Sequence, residues 1–251
     1  RELLVPGANV YLEKSGNPDR KTCYDLVAVE KGARLINMDA QAPNRVFAEW
    51  VGVGGFQEGL TLLRPETTWG NSRFDFYWEA SNRRGFVEVK GVTLEENGAV
   101  YFPDAPTARG VKHVEELCAC LEQGYEAALF LVVQMEGVAF WAPNDRTHPA
   151  FGTAVRRAAE RGVQILAWDC KVTPDSITLR RPVSVRRWRA ERPSALPADC
   201  CRRRMRRSER CIRRSTQSGC CSEQRWSFLC RLDSLCARPA LPVAKTPVIS
   251  L

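Results

Sequence analysis

The sequence has little of several features on which common classes of protein depend. Only two of its 251 residues are histidines, His113 and His148, so mechanisms built on histidine pairs or histidine-rich metal sites have little material. Its longest apolar run, residues 127–133, is far shorter than the roughly 18 residues of a membrane span. No initial methionine and no secretory signal pattern are present. We therefore expect a cytoplasmic protein without a membrane partner, whose start is missing and whose chemistry rests on carboxylates.

Charge and cysteine are divided unevenly along the chain. Residues 1–185 carry 21 Lys and Arg against 24 Asp and Glu, a net charge of −3. Residues 186–251 carry 16 against 5, a net charge of +11. Four cysteines lie in the first segment, which suits a reducing compartment, and seven lie in the second. Because the second segment has no Cys-x-x-Cys pair and no histidine, its spacing does not support a zinc site.

The segment 186–251 shows neither helical nor strand periodicity, and consists of runs of Arg, Ser and Cys. One interpretation is a basic arm that binds nucleic acid. The other is a disordered or out-of-frame segment, since translation of a GC-rich gene in the wrong frame gives such a composition, and the paired cysteines favour it. A zinc or disulfide scaffold would require the cysteines to be ordered.

The first 185 residues predict an α/β fold in two parts. Within a first domain of residues 1–60, short β-rich runs alternate with turn signals from Leu3 to Met38, which indicates a small all-β unit, and Arg45 to Val51 could form one or two helical turns. Residues 61–185 mix strands and helices around one mixed sheet. The clearest helix covers residues 111–121, with Gly124 where a C-terminal cap is expected. Its apolar face is formed by Val111, Val114, Leu117 and Leu121.

Two adjacent predicted strands carry the candidates for chemistry. Asp75 lies in an alternating run, and Glu88, Val89 and Lys90 follow in the next strand. Because side chains alternate along a strand, Glu88 and Lys90 share one face while Val89 points to the core. If Asp75 emerges on that face, the two carboxylates and the Val89 carbonyl form an oxygen site for Mg²⁺ or Mn²⁺. Lys90 would then orient or deprotonate a water that attacks a phosphodiester.

A simpler interpretation of these three residues remains open. Asp75, Glu88 and Lys90 could be exposed polar residues of a two-faced sheet, with Glu88 and Lys90 forming an ion pair. Spacing alone favours this interpretation, because Asp followed by Glu-x-Lys is common by chance.

The loop before the long helix concentrates groups that suit a phosphate. Thr107 is placed to cap the helix, and Arg109, Lys112 and the helix N-terminus all favour an anion. An ordinary proline-rich entry loop is the alternative. Gln134 and Glu49 could also reach the site, although the polar end of a strand and a solvated carboxylate are the simpler interpretations.

Several longer motifs occur in order along residues 1–185. They are Arg20-Lys21-Thr22 with Tyr24-Asp25-Leu26, Ala42-Pro43-Asn44, Gly70-Asn71-Ser72-Arg73-Phe74-Asp75, Glu88-Val89-Lys90 with Val92-Thr93-Leu94, Phe102-Pro103-Asp104-Ala105-Pro106-Thr107 with Arg109-Gly110, and Lys112-His113. Together they resemble the sugar fermentation stimulation protein A family of bacteria and archaea.

This resemblance implies an N-terminal OB-like β-barrel followed by a PD-(D/E)XK nuclease-like domain. The acidic and lysine motif of that domain falls on Asp75, Glu88 and Lys90, and with this context the simpler interpretation loses its advantage. Other family motif positions are also matched here, and the resemblance implies contact with nucleic acid for Arg73, Thr107, Arg109, Lys112 and His113. Asp104 matches a motif position too, without an assigned role. Family members have an additional N-terminal segment, so the barrel is expected to be incomplete here, with unpaired edges. They end near Val185, which supports a foreign segment 186–251.

The resulting hypothesis is a metal-dependent nuclease that uses Mg²⁺ or Mn²⁺ to hydrolyse DNA or RNA. Asp75 and Glu88 would hold the metal and Lys90 would serve the attacking water. The alternative is a non-catalytic DNA-binding protein that regulates sugar-metabolism genes. The intact triad favours the nuclease, because two carboxylates without a metal would repel phosphate.

Overall fold

The computed structural model describes residues 2–17 and 19–186. The predictions for the segment 186–251 therefore fall, apart from Arg186, outside the described residues. The strands are β1 (Val10–Lys14), β2 (Tyr24–Lys31), β3 (Arg34–Asn37), β4 (Leu60–Trp69), β5 (Ser72–Ala80), β6 (Arg83–Val92), β7 (Leu94–Glu96), β8 (Ala99–Phe102), β9 (Glu126–Val133), β10 (Phe140–Pro143), β11 (Gln164–Val172), β12 (Ile177–Pro182) and β13 (Ser184–Val185). The helices are α1 (Ala42–Gly52), α2 (Ala108–Glu122) and α3 (Pro149–Arg161).

The N-terminal unit is an open antiparallel sheet in the order β1-β2-β3. These strands do not close into a barrel, which agrees with the expectation of an incomplete OB-like unit. Val10, Leu12 and Tyr24 are exposed on β1 and β2 although all three are apolar or aromatic. The unit therefore presents apolar surface that a closed barrel would cover.

The centre of the protein is a six-stranded sheet in the order β12-β11-β9-β6-β5-β4. β6, β9 and β11 run parallel, and the outer pairs are antiparallel, so the predicted mixed sheet is confirmed. β9 is buried at all but its first position, because α2 and α3 cover one face of the sheet and α1 covers the other. In this order β6 is one of the two central strands, and β5 lies between β6 and the edge strand β4.

The long helix α2 agrees with its sequence signals. The Thr107 hydroxyl accepts a hydrogen bond from the Gly110 amide at 3.0 Å, which is the predicted N-terminal cap. Gly124 has a φ of +78°, the left-handed conformation expected after a helix end. Cys118 and Cys120 are buried free thiols of the core, and burial raises the pKa of Cys120 to about 12. The helix is thus fixed at both ends and along its apolar face.

A second, four-stranded sheet has the order β13-β10-β8-β7, so the prediction of a single sheet for residues 61–185 was wrong, because local patterns do not show which strands pair. The strands β7 and β13 were not predicted, because three and two residues are too few to show a period of two. Among the described residues, no helix combines the length and apolar character needed to cross a membrane.

Candidate active site

The carboxylate of Asp75 lies where the pairing of β5 with β6 ends. The ladder runs from Ala80 opposite Arg83 to Phe76 opposite Val87. One residue further, Asp75 Oδ2 accepts a hydrogen bond from the Val89 backbone amide at 2.8 Å. A side chain therefore replaces the ladder bond that a neighbouring strand would make.

This end of the ladder also frees a backbone acceptor. In an extended strand the N–H and C=O of one residue point to the same edge, so the Val89 carbonyl faces the side of Asp75. The Val89 side chain is buried in the core cluster of the α1 face, as predicted. The Val89 backbone and the Asp75 carboxylate thus present oxygens at one edge.

Asp75 is held from the α1 side by Asn44. The Asn44 amide Nδ2 donates to Asp75 Oδ1 at 3.0 Å, from the first turn of α1. Burial and the nearby charge of Glu88 raise the pKa of Asp75, although the hydrogen bond from Val89 and the charge of Lys90 act in the opposite direction. The site is therefore short of positive charge near Asp75.

Glu88 is almost completely buried, with 1% of its surface exposed. Lys90 Nζ lies 2.5 Å from Glu88 Oε1, and the ring Nδ1 of His113 contacts the same oxygen. Glu88 Oε2 is buried and has no hydrogen-bond partner in the part of the chain that the structure describes. Burial opposes ionisation of Glu88, but His113 and Lys90 outweigh it and lower the pKa of this carboxyl. The ion pair with Lys90 is present, yet Glu88 is not an exposed residue.

His113 occupies the first turns of α2 and faces inward, with 5% of its surface exposed. Arg109, one turn earlier on the exposed side, donates from Nε to His113 Nε2 at 3.3 Å. The structure therefore places His113 between Arg109 and Glu88, buried beneath the exposed face of α2.

The other basic residues predicted to contact nucleic acid are exposed. Arg73 on β5 lies 3.6 Å from the Glu66 carboxylate. Lys112 Nζ donates to the Asn71 carbonyl at 3.1 Å and lies 3.7 Å from Glu116. These partners hold Lys112 beside the loop that opens β5. This hydrogen bond therefore places Lys112 next to β5, the strand that carries Asp75.

The Thr107 hydroxyl is committed to the helix cap. In addition, its backbone amide donates to His148 Nδ1 at 3.3 Å, which ties the start of α2 to the start of α3. This second contact gives His148 a structural partner that the sequence did not indicate.

Gln134 lies at the end of β9 and joins the N-terminal unit to the central sheet. Its Nε2 donates to Asn37 Oδ1 at 2.8 Å, to the Asn37 carbonyl at 3.2 Å and to the Asp39 carbonyl at 3.1 Å. A Cβ atom on Gly91 would lie 2.3 Å from Gln134 Oε1. Gln134 is thus a structural residue, and Glu49 is exposed on α1.

Two contacts of the carboxylates were not predicted, namely those from Asn44 and from His113. Asn44 belongs to the motif Ala42-Pro43-Asn44. The sequence signal for its contact with Asp75 is its place as a polar residue directly after Pro43 at the start of a helix. His113 was singled out as a surface contact, because a helical position alone does not show which way the ring points.

The oxygen atoms of the site suit a hard divalent cation. Within residues 2–17 and 19–186, no group of three or more His, Cys, Asp or Glu side chains is placed to hold a metal ion. The protein instead offers two carboxylates and the Val89 carbonyl, and Glu88 Oε2 is a buried acceptor without a donor. Mg²⁺ commonly takes only one or two carboxylates and fills its remaining positions with water and phosphate. The donor set fits such an ion.

Comparison with known families gives two matches in succession. A model described as the SfsA N-terminal OB domain matches residues 1–38, and one described as the sugar fermentation stimulation protein RE domain matches residues 41–176. The chain belongs to the sugar fermentation stimulation protein family. The resemblance drawn from the ordered motifs is therefore confirmed.

Curated SfsA relatives cover most of the described chain. The sugar fermentation stimulation protein homolog of Desulfitobacterium hafniense (strain Y51) is 56% identical over 177 residues, which are 70% of this chain and 77% of the relative. The homolog of Ruminiclostridium cellulolyticum is 50% identical over 186 residues, 74% of this chain and 82% of the relative. A solved structure described as Pyrococcus furiosus SfsA in complex with Ca²⁺ matches with a TM-score of 0.68 and 26% identity, covering 74% of this chain and 80% of that one.

Proposed function

We propose that this chain is a metal-dependent nuclease that hydrolyses phosphodiester bonds of nucleic acid. The observation that carries the proposal is that Glu88 lies close enough to Asp75, at the end of the β5–β6 ladder, for its charge to raise the pKa of Asp75, while Glu88 Oε2 is buried and has no partner among the described residues. A buried carboxylate oxygen without a donor is costly, so it marks a place where a cation is expected.

Mg²⁺ or Mn²⁺ is the proposed cofactor, held by Asp75, Glu88 and the Val89 carbonyl. Such a cation would neutralise the charge that develops on the phosphate and would acidify a nearby water. The Pyrococcus furiosus relative was solved in complex with Ca²⁺, which also takes oxygen ligands. This supports a divalent cation in the family.

Lys90 completes the proposed triad. Its side chain is 23% exposed, so the ammonium group reaches solvent while it remains 2.5 Å from Glu88 Oε1. From this position Lys90 would orient the attacking water beside the phosphate, and its charge compensates the buried Glu88.

The nucleic acid would lie along the exposed start of α2. Arg109 and Lys112 on the first turns of this helix, with Arg73 on β5, supply donors for backbone phosphates. Residues 1–185 have a net charge of −3, so binding would depend on this local group rather than on overall charge.

A non-catalytic DNA-binding protein that regulates sugar-metabolism genes is the second candidate. It is favoured by the absence of a third acidic or imidazole ligand from the described part of the chain. The ion pair of Glu88 with Lys90 also compensates one carboxylate without any metal.

The test is cleavage of labelled single-stranded and double-stranded DNA and RNA by the full 251-residue chain. Reactions would contain Mg²⁺, Mn²⁺ or EDTA, and would include Asp75→Ala, Lys90→Ala and, as a matched control, the exposed Glu49→Ala. We expect metal-dependent cutting that the first two substitutions abolish and the control retains. Binding without cutting by folded protein, unchanged in all three variants, would instead support the DNA-binding candidate.

A further inference from the structure

We propose that His113 is a positioning residue that holds Glu88 Oε1 and thereby presents Oε2 to the divalent cation. This inference rests on the proposed function. It assigns His113 a role inside the site, where the sequence suggested a contact with nucleic acid.

The contacts of the His113 ring show which of its nitrogens carries the proton. The Arg109 guanidinium remains protonated in proteins and has no acceptor, so His113 Nε2 must accept from Arg109 Nε. The ring proton is then on Nδ1, which faces Glu88 Oε1. Arg109 therefore selects the tautomer in which His113 donates to the carboxylate.

The two carboxylate oxygens of Glu88 have different numbers of hydrogen-bond donors. His113 and Lys90 both donate to Oε1, and neither reaches Oε2. A rotation of the carboxyl group that turned Oε2 toward these donors would have to break both contacts. The pair thus fixes the orientation of the carboxylate and leaves one of its two equivalent oxygens for a cation.

The two donors to Glu88, Lys90 and His113, differ in flexibility. Lys90 is a flexible side chain that is partly exposed, whereas the His113 ring is buried and packs edge-on near Phe74, with ring centroids 6.4 Å apart. A long flexible ammonium side chain can follow a carboxylate that moves, but a packed ring cannot. His113 is therefore the group that sets the orientation of Glu88.

The experiment compares Mn²⁺ binding by the full chain and three variants, with the free ion followed by electron paramagnetic resonance. H113L keeps an apolar side chain of similar size without a donor, and H113N keeps an amide donor near the position of Nδ1. D75N defines which part of the Mn²⁺ binding belongs to this site. Thermal unfolding of each variant would be measured in parallel.

We expect H113L to weaken the D75N-sensitive binding by about 10-fold to 100-fold, and H113N to restore most of it. An H113L protein with unchanged Mn²⁺ affinity would overturn the inference while leaving the nuclease proposal intact. Equal losses in H113L and H113N would also overturn it, since the ring would then only fill space. Wild-type protein without any D75N-sensitive binding would overturn the proposed function, and this inference with it.

Discussion

Glu88 and Glu95 are both buried carboxylates with basic partners, yet their oxygens are used differently. For Glu95, Lys31 Nζ lies 2.7 Å from Oε2, and Arg34 Nη1 and the Gly98 amide contact Oε1 at 3.2 Å and 2.5 Å. For Glu88, all donors meet at Oε1 and Oε2 has none. A carboxylate whose acceptors are all used stabilises the fold, whereas one with a vacant buried oxygen retains capacity for a ligand.

The position of Glu95 agrees with a structural role. It lies on β7 and connects the second sheet to Lys31 and Arg34 of the N-terminal unit. Burial opposes its ionisation, but these two side chains and the Gly98 amide outweigh it and lower the pKa of Glu95. Substitution of each carboxylate can test whether Glu88 and Glu95 differ in function as they differ in contacts. Two further substitutions, of Asp75 and Asn44, test the surroundings of Glu88.

The largest effect is expected for Glu88→Gln. The amide keeps an acceptor for Lys90 and His113 but removes the charge that a cation needs, so the rate of cleavage should fall about 1,000-fold, equivalent to about 4 kcal/mol. Cleavage rates at saturating Mg²⁺, with Glu95→Gln as the matched control, are the measurement. A Glu88→Gln protein that cuts at the wild-type rate would remove the distinction between the two residues.

Glu95→Gln should instead reduce stability. Lys31 and Arg34 would lose their charged partner, and we expect the free energy of unfolding in urea to fall by about 2–3 kcal/mol. This is less than for a fully buried pair, because both basic side chains remain partly exposed. Cleavage by the folded fraction should remain unchanged.

The pH dependence gives a second measurement on Glu95→Gln. Because the folded-state pKa of Glu95 lies below its ordinary value of 4.5, its stabilisation is present above that pH and is lost as pH falls through the folded pKa. Stability of the variant should therefore decline less on acidification than that of the wild type. Parallel acid curves for the two proteins would show that the carboxylate contributes nothing.

Asp75→Asn is expected to make the protein more stable and inactive. The folded-state pKa of Asp75 is raised, so its ionised form destabilises the fold, and this cost grows as pH rises from the ordinary pKa of 3.8 to the folded pKa and is constant above it. At neutral pH the amide should increase the free energy of unfolding by about 0.5–2 kcal/mol. Added Ca²⁺ should raise the Tm of the wild type but not of the variant. A lower Tm for Asp75→Asn would contradict this balance of charges.

The smallest effect is expected for Asn44→Ala. Loss of the hydrogen bond to Asp75 Oδ1 should reduce Mn²⁺ affinity about 10-fold and stability by about 1 kcal/mol. Mn²⁺ titration and urea unfolding are the measurements, and Glu49→Ala on the same helix is the control. Equal behaviour of the two variants would show that Asn44 does not position the carboxylate.

The sequence predicted those features that depend on neighbouring residues. The helix α2 could be bounded because Thr107, Gly124 and the apolar spacing are local signals. Alternation along β6 placed Glu88 and Lys90 on one face and Val89 in the core, as observed. The α/β class followed from the same local patterns, whereas the two domain types were implied by the family resemblance.

The contacts that complete the site depend on tertiary packing. The end of the β5–β6 ladder at Phe76 is a matter of register between two strands, which local periodicity does not specify. His113 meets Glu88 only because α2 packs on the face of β6 that carries this residue. Asn44 likewise reaches Asp75 across the fold from another helix. Sequence patterns and the family resemblance singled out the two carboxylates, but not the side chains that contact them.

The amide of Gln134 has a consequence for how this protein could be recombined with its relatives. It donates to Asn37 and Asp39, and the backbone N–H of Asn37 donates in return to the backbone carbonyl of Gln134 at 2.9 Å. Asn37 lies in the segment that matches the OB domain, and Gln134 lies in the RE domain. A chimera that joins the OB domain of one relative to the RE domain of another must therefore keep both Asn37 and Gln134. Otherwise the buried side-chain amide beside Gly91 loses its hydrogen bond to Asn37 Oδ1.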